Sequence, residues 1–444
     1  MKIRLLVCTL SVCLSSVWSM PARANATDFT LENAISTAIK NDPWLTQSHA
    51  IEQSLQARGI GESRLPNPSI SLSMLNLPTD GFDFNQEPMT QIRAGVSQQF
   101  ARGDTLELRR QYREQQAAEH PYLRANRRAL VTQNVSEIWL DGFLAAKSYE
   151  LIAEYRPLFD KLADSIGANY ASLVGNARQQ DIIRAELELV QLDDRLLALD
   201  IQHQKLKADL LQWLMSEQEA QFHYAQIEFP NEFEPIVLSA PQAVELKGQA
   251  LTYWLAEKTQ QHPLMLANQQ RLIASDAQVE IEKQHYQPQW GVNASYAMRQ
   301  DEPSGAGRAD FFSIGVTVDV PLLSEASIDS QVASAVHVNS SIRTESKLIQ
   351  RELIAKGQRA LSTLNRLERR KALYHDEIIP QMTQQSEAAL AAYTNDDGNF
   401  IDVVLARITE LDARLAVLEI DIEYNKTLAR LNYVLHQTEK GSAQ

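Results

Sequence analysis

Residues able to do chemistry are plentiful in this chain but are not arranged for it. Its nine histidines include no H-E-x-x-H or other i, i+4 pair, so no helix face offers two imidazoles to one metal ion. No Walker, dinucleotide-binding or G-x-S-x-G fingerprint appears. The two cysteines, Cys8 and Cys13, both lie in the N-terminal segment. Met74, Met89, Met215, Met265, Met298 and Met382 are scattered rather than aligned in a soft-metal stripe, and read as packing residues. The expectation is no catalytic centre, no cofactor and no metal site.

The chemistry that is present belongs to a surface. In Pro68–Leu77, Ile70, Leu72 and Met74 alternate with Ser69, Ser71 and Ser73. In Gln91–Phe100, Ile92, Ala94, Val96 and Phe100 alternate with Gln91, Arg93, Ser97 and Gln99. Further on, Trp290, Val292, Ala294, Tyr296 and Met298 alternate with Gln289, Asn293, Ser295 and Arg299. Phe312, Ile314, Val316, Val318 and Val320 alternate with Ser313, Gly315, Thr317 and Asp319. Period-two alternation predicts strands with one apolar and one polar face. About ten residues is also the length a tilted strand needs to cross a bilayer. On that reading Ile70, Leu72, Met74, Ile92, Val96, Trp290, Val292, Tyr296, Phe312, Ile314, Val316 and Val318 face lipid. The alternative is a pair of hairpins half buried on a soluble core. The polar, turn-rich connections Pro78–Met89 and Gln300–Ala309 suit outward-facing loops.

The elements around these strands repeat. Pro43 and Pro263 are 220 residues apart, and the same offset links Pro68 to Pro288 and Gly95-Val96 to Gly315-Val316. The offset becomes 223 for Pro157 and Pro380, Tyr170 and Tyr393, and Gly175-Asn176 and Gly398-Asn399. It falls to 219 for Leu192-Asp193-Asp194-Arg195-Leu196 and Leu411-Asp412-Ala413-Arg414-Leu415. A co-linear series of this extent marks an internal duplication. Each half reads as helix, two strands, then very long helices, with first repeat 27–216, linker 217–241, second repeat 242–440 and tail 441–444. From Ala101 to Val174 only Pro121 and Pro157 interrupt a helix-rich composition. Ser324–Tyr393 contains only Gly357 and Pro380, and about 70 residues of helix reach roughly 100 Å. Ile183, Leu187, Val190, Leu197, Ile201 and Leu211 form a near-heptad seam, as do Ile342, Ile349, Leu353, Ala360 and Leu364. Gly175-Asn176 and Gly398-Asn399 fit helical-hairpin reversals where positive φ is tolerated.

Residues 1–26 read as a cleaved signal peptide: Lys2 and Arg4, an apolar run Leu5–Trp18, then Ala24-Asn25-Ala26. Val12 before Cys13 and the short apolar stretch argue against a lipidated cysteine. The formal charge of −14 argues against nucleic-acid binding. The mean hydropathy of −0.30, with no later apolar run near 20 residues, excludes a helical multi-span membrane protein. Four membrane strands cannot close a barrel, and open edges in lipid leave amides unpaired at several kcal/mol each. Two copies would supply eight strands and three would supply twelve around a water-filled lumen; three is the expected number.

The paired-half order resembles the TolC-like outer-membrane efflux factors. So do Leu65-Pro66-Asn67-Pro68-Ser69-Ile70 and the run Val96-Ser97-Gln98-Gln99-Phe100 leading to Arg102-Gly103-Asp104-Thr105-Leu106. These two stretches look most like the heavy-metal, Czc/Cus-type branch. The resemblance implies a mainly α protein with a transmembrane β part: a homotrimer with a shared 12-stranded outer-membrane β-barrel and a periplasmic α-helical coiled-coil barrel. It implies a periplasmic adaptor and an inner-membrane resistance-nodulation-division pump as partners, outer-membrane lipid around the barrel, and copper, silver, zinc, cobalt or cadmium as cargo. Ile401-Asp402-Val403-Val404-Leu405 best matches the family's acidic gate segment. That makes Asp402 the candidate gate residue, with Asp396, Asp397 and Asp181 as further candidates; Asp402 is equally placed to favour a helix dipole. Gly175, Asn176, Gly398 and Asn399 become the tips where an adaptor would dock. A drug or type I secretion duct of the same fold, and a soluble periplasmic coiled-coil scaffold or adaptor, are the alternatives.

Overall fold

The computed structural model describes residues 30–171, 178–215, 227–230, 232, 235–395 and 398–437. The signal-peptide segment, Gly175, Asn176, Asp396, Asp397 and the tail lie outside them. Helices α1 (Leu31–Asn41) and α2 (Pro43–Glu62) precede strands β1 (Ser69–Leu75) and β2 (Gln91–Gln99), followed by α3 (Thr105–Ala171) and α4 (Gln179–Leu214). The second half repeats the order with α5 (Gly248–Thr259), α6 (Pro263–Lys283), β3 (Gln289–Arg299), β4 (Phe311–Asp319), α7 (Glu325–Leu373), α8 (Ile379–Thr394) and α9 (Phe400–Val434).

The duplication is visible in how helices begin. Both α2 and α6 carry proline at their first position, where its missing N–H costs nothing. Their N-caps differ in chemistry but not in geometry. Asp42 Oδ1 accepts from Trp44 N at 3.0 Å, and His262 Nδ1 accepts from Leu264 N at 3.2 Å. The prolines expected to interrupt the long helices do not break them. Pro121 and Pro157 lie inside the 67-residue α3, whose burial against α2, α4, α6 and α9 outweighs the roughly 3 kcal/mol each proline costs. At Pro380 the chain instead takes a π turn over Tyr374–Ile378, which relieves the clash of the ring with the preceding turn.

Apolar clusters hold the helices. Ala34 and Ala38 of α1 pack on Val131, Val135 and Trp139 of α3, Leu210 and Leu214 of α4, and Phe229. The repeat counterpart joins Leu255 of α5, Leu361 and Leu364 of α7, and Leu428 and Leu431 of α9. A third brings Ile152, Phe159 and Ile166 of α3 together with Ala185 and Leu192 of α4 and Phe400, Val404 and Leu411 of α9. Residues 236–239 of the expected linker form a strap laid along α9. Asn425 Oδ1 accepts from Ile236 N at 2.9 Å, and Asn432 exchanges 2.8 Å bonds with Ser239 N and Val237 O.

One seam differs from expectation. Ile342, Leu353, Ala360 and Leu364 are buried along α7. Ile183, Leu187, Val190, Leu197 and Ile201 are exposed on α4, which meets α3 through Ile182, Ala185, Leu189, Leu192, Leu196 and Leu199 instead. Helix α4 is apolar on two faces, and one chain covers only one of them.

The four strands form one antiparallel sheet in the order β1-β2-β3-β4. β2 and β3, separated by the whole first helical domain, are neighbours, and β1 and β4 are left as open edges.

Candidate functional site

The strand register lines up the apolar alternation into one face. Ile70, Val96, Ala294 and Ile314 form one cross-sheet row, and Leu72, Ala94, Tyr296 and Phe312 the next. Met74, Ile92 and Met298 continue on one side, Val292 with Val316 and Trp290 with Val318 on the other. Of the twelve residues read as lipid-facing, eleven are exposed and Ile92 is half-buried. Exposure reaches 85% at Ile70, 77% at Leu72 and 71% at Ile314. Such a continuous apolar face would be unstable against water. The opposite face carries Ser69, Ser71, Ser73, Ser97, Asn293, Ser295, Ser313 and Thr317, with a 2.7 Å hydroxyl pair between Ser69 and Ser97.

Side-chain contacts close both hairpins. Asn76 adopts φ +54°, donates to Met89 O at 3.1 Å and accepts from Thr90 Oγ1 at 2.7 Å. Tyr296 donates to Asp310 at 2.5 Å, and the Arg299 guanidinium lies 4.0 Å from the Phe311 ring centroid. At the other end of the sheet Arg102 bonds Gln287 O at 2.6 Å and pairs with Asp319, fastening the base of β2 to those of β3 and β4.

Far along the helices lies the second candidate region, the tip where α8 turns into α9. Asn399 is the N-cap of α9, accepting from Ile401 N, and Asp402 is an exposed residue of its first turn. An acidic side chain there complements the helix dipole, and it stays exposed. Gly398 is required for a different reason than expected. It is not among the positive-φ glycines, and a Cβ on it would stand 2.7 Å from Tyr393 N and 2.8 Å from the Ala392 carbonyl carbon. Close backbone approach, not left-handed geometry, selects glycine. Asn399 likewise has an extended backbone, φ −92°, and serves as a cap. Asp181 occupies the matching position of α4, but it is buried and its carboxylate accepts from Arg178 N at 2.9 Å in a capping box.

Back from the tip, ion pairs join the helices. Arg156 of α3 holds Asp193 of α4 through 2.6 and 3.1 Å bonds, and Arg195 of α4 reaches Asp412 of α9 at 2.8 Å. Burial would push the Glu410 carboxyl up, but Arg414 at 2.9 Å and Thr383 at 3.1 Å hold it below the ordinary carboxylate range. The repeated Asp-x-Arg at 193–195 and 412–414 was the available sequence signal for these contacts. Among the described residues, no group of three or more His, Cys, Asp or Glu side chains is placed to hold a metal ion. No described helix is long and apolar enough to cross a membrane.

No protein-family model matches this chain, and no curated protein does. Solved structures do. The outer-membrane channel OprN superposes with a TM-score of 0.75 at 13% identity, covering 93% of this chain and 91% of that one. A membrane protein from Pseudomonas aeruginosa gives 0.76 at 16% identity, covering 92% and 91%. CusC, described for conformational changes accompanying folding and transmembrane channel formation, gives 0.73 at 14% identity and 93% coverage of each chain. With nearly the whole chain aligned in each case, this protein has the TolC-like fold of these structures.

Proposed function

We propose that the protein is the outer-membrane exit duct of a tripartite efflux system. Three copies pool their strands into a 12-stranded barrel, and their helices continue as a tunnel into the periplasm. A periplasmic adaptor docks at the helical tips, including Gly398 and Asn399, and links the duct to an inner-membrane resistance-nodulation-division pump. The duct conducts passively and does no catalysis. The observation that carries this reading is the apolar sheet face with two open edges, since hydrocarbon removes the cost of the face and imposes a cost on the edges. The uncovered apolar stripe on α4 fits the same need for further copies.

Heavy-metal cations are the proposed cargo, on the likeness of residues 65–70 and 96–106 to the metal branch. Deletion of the gene is expected to sensitise cells to copper, silver, zinc, cobalt or cadmium salts. Sensitivity to dyes and antibiotics with normal metal tolerance would replace this cargo with organic compounds and leave the duct standing. Asp402 is proposed as the gate ring, with Asp396 and Asp397 beside it; Asp181, already committed to a helix cap, is the weaker member. In planar bilayers Asp402→Asn should lower cation selectivity severalfold, and an unchanged ion preference would remove Asp402 from the gate.

A further inference from the structure

We infer that neighbouring copies join in the register of the chain's own half-to-half junction, so that a β4 residue faces the β1 residue of the next copy that the internal repeat dictates. This rests on the multi-copy barrel proposed above. It does not depend on the number of copies.

The offset of 220 holds at the start of every element near the sheet: Pro43 and Pro263, Ser69 and Gln289, Gln91 and Phe311, Thr105 and Glu325. Within one chain the halves meet where β2 pairs with β3, placing Ser97 opposite Asn293, Gln98 opposite Val292 and Val96 opposite Ala294. Between copies the corresponding neighbours are β4 and β1. Adding the offset to the first partner and subtracting it from the second gives Thr317 opposite Ser73, Val318 opposite Leu72 and Val316 opposite Met74 of the next copy. Directly opposite residues share a face, and the register passes that check on both sides. Thr317 and Ser73 belong to the polar face, while Val318, Leu72, Val316 and Met74 belong to the apolar one.

The base of the sheet gives a second, independent fit. Inside the chain the segment leaving β2 meets the segment leading to β3 through polar contacts, Arg102 to Gln287 O at 2.6 Å and Asp104 N to Gln284 Oε1 at 3.1 Å. The counterparts of Arg102 and Gly103 are Leu322 and Leu323, which are 81% and 101% exposed. The inferred register brings this apolar pair to Asn67 and Pro68 of the next copy, beside Leu65, itself 48% exposed. Both segments are held in place from within: Gln98 bonds Pro66 O at 2.8 Å, and Asp319 is pinned by Arg102. A polar junction inside the chain thus becomes an apolar one between chains.

The competing arrangement is a slip by two residues, which keeps every side chain on its face. The two hairpins differ from each other by such a slip: Ser69 faces Ser97, whereas Gln289 faces Asp319. Cysteine pairs separate the two. Full-length protein carrying Thr317→Cys with Ser73→Cys, extracted in detergent and oxidised, should run as covalent dimers and trimers on a non-reducing gel. Each single variant should not, and Thr317→Cys with Ser71→Cys should cross-link severalfold less. Val316→Cys with Met74→Cys reads the same register on the other face, should the first pair fail to assemble. Preferential cross-linking of the Ser71 pair overturns the register, as does absence of any cross-link in both correct pairs while the oligomer persists. Either result leaves the duct reading intact. A monomer recovered without detergent overturns both.

Discussion

His262 shows how one residue can carry a repeat's geometry with altered chemistry. Its counterpart Asp42 caps α2 and pairs with Arg127 at 2.7 Å. His262 caps α6 through an unprotonated Nδ1, so its proton sits on Nε2 and donates to Tyr433 O at 3.1 Å. Burial lowers the imidazole from 6.5 to about 4, against the opposing pull of the Tyr433 carbonyl. The unfolded chain then binds more protons than the folded one between those values. Stability is therefore fully present above about 6.5 and is lost as pH falls toward 4, by about 2 kcal/mol at pH 5. Thermal unfolding in detergent from pH 7.5 to 5 should show this loss, and His262→Asn, which retains a capping oxygen, should flatten it. Equal slopes for both proteins would mean that His262 is already charged in the native state. The 220-residue repeat sets His262 opposite Asp42, but its burial and its bond to Tyr433 O were not legible, because they depend on α9 arriving 171 residues later.

At the scale of elements, the strands and long helices were legible because each carries its own period, and the strand bounds fell within about two residues of the expected ones. What one chain's sequence left open was which apolar face meets which partner. Helix α4 buries Ala185 and Leu192 and leaves Val190 and Ile201 in the open, a choice made by neighbours and invisible to periodicity. The tip glycine was legible as a reversal but not in its cause, since a contact with the backbone of Ala392 and Tyr393 has no local signature. That cause is testable. Gly398→Ala must displace the α8–α9 turn, at about 1–3 kcal/mol, whereas a glycine chosen only for flexibility would tolerate alanine almost freely. The variant should melt lower, expose the tip to limited proteolysis and bind the proposed adaptor more weakly. An unchanged melting temperature with normal adaptor binding would return Gly398 to an ordinary loop role.

For the molecule as a whole, the proposed barrel requires the sheet to separate lipid from a water-filled lumen, and adjacent residues on β4 should report the two. Ser313 and Ile314 are neighbours in sequence, both exposed, and both lie in the half of β4 nearer the β3–β4 connection. Ser313 shares the polar face with Ser295, while Ile314 lies in the apolar row with Ala294, Val96 and Ile70. An arginine placed at each position adds the same charge and nearly the same bulk. On a lipid-facing site it costs about 2–4 kcal/mol near the bilayer midplane, and on a water-filled lumen almost nothing. In a threefold assembly the lipid penalty recurs in every copy, so Ile314→Arg should abolish recovery of the detergent-extracted trimer from the outer membrane. Ser313→Arg should assemble at near wild-type yield and change only conductance. A soluble protein with its hairpins in water would treat the two variants alike, and equal yields would remove the membrane from this account.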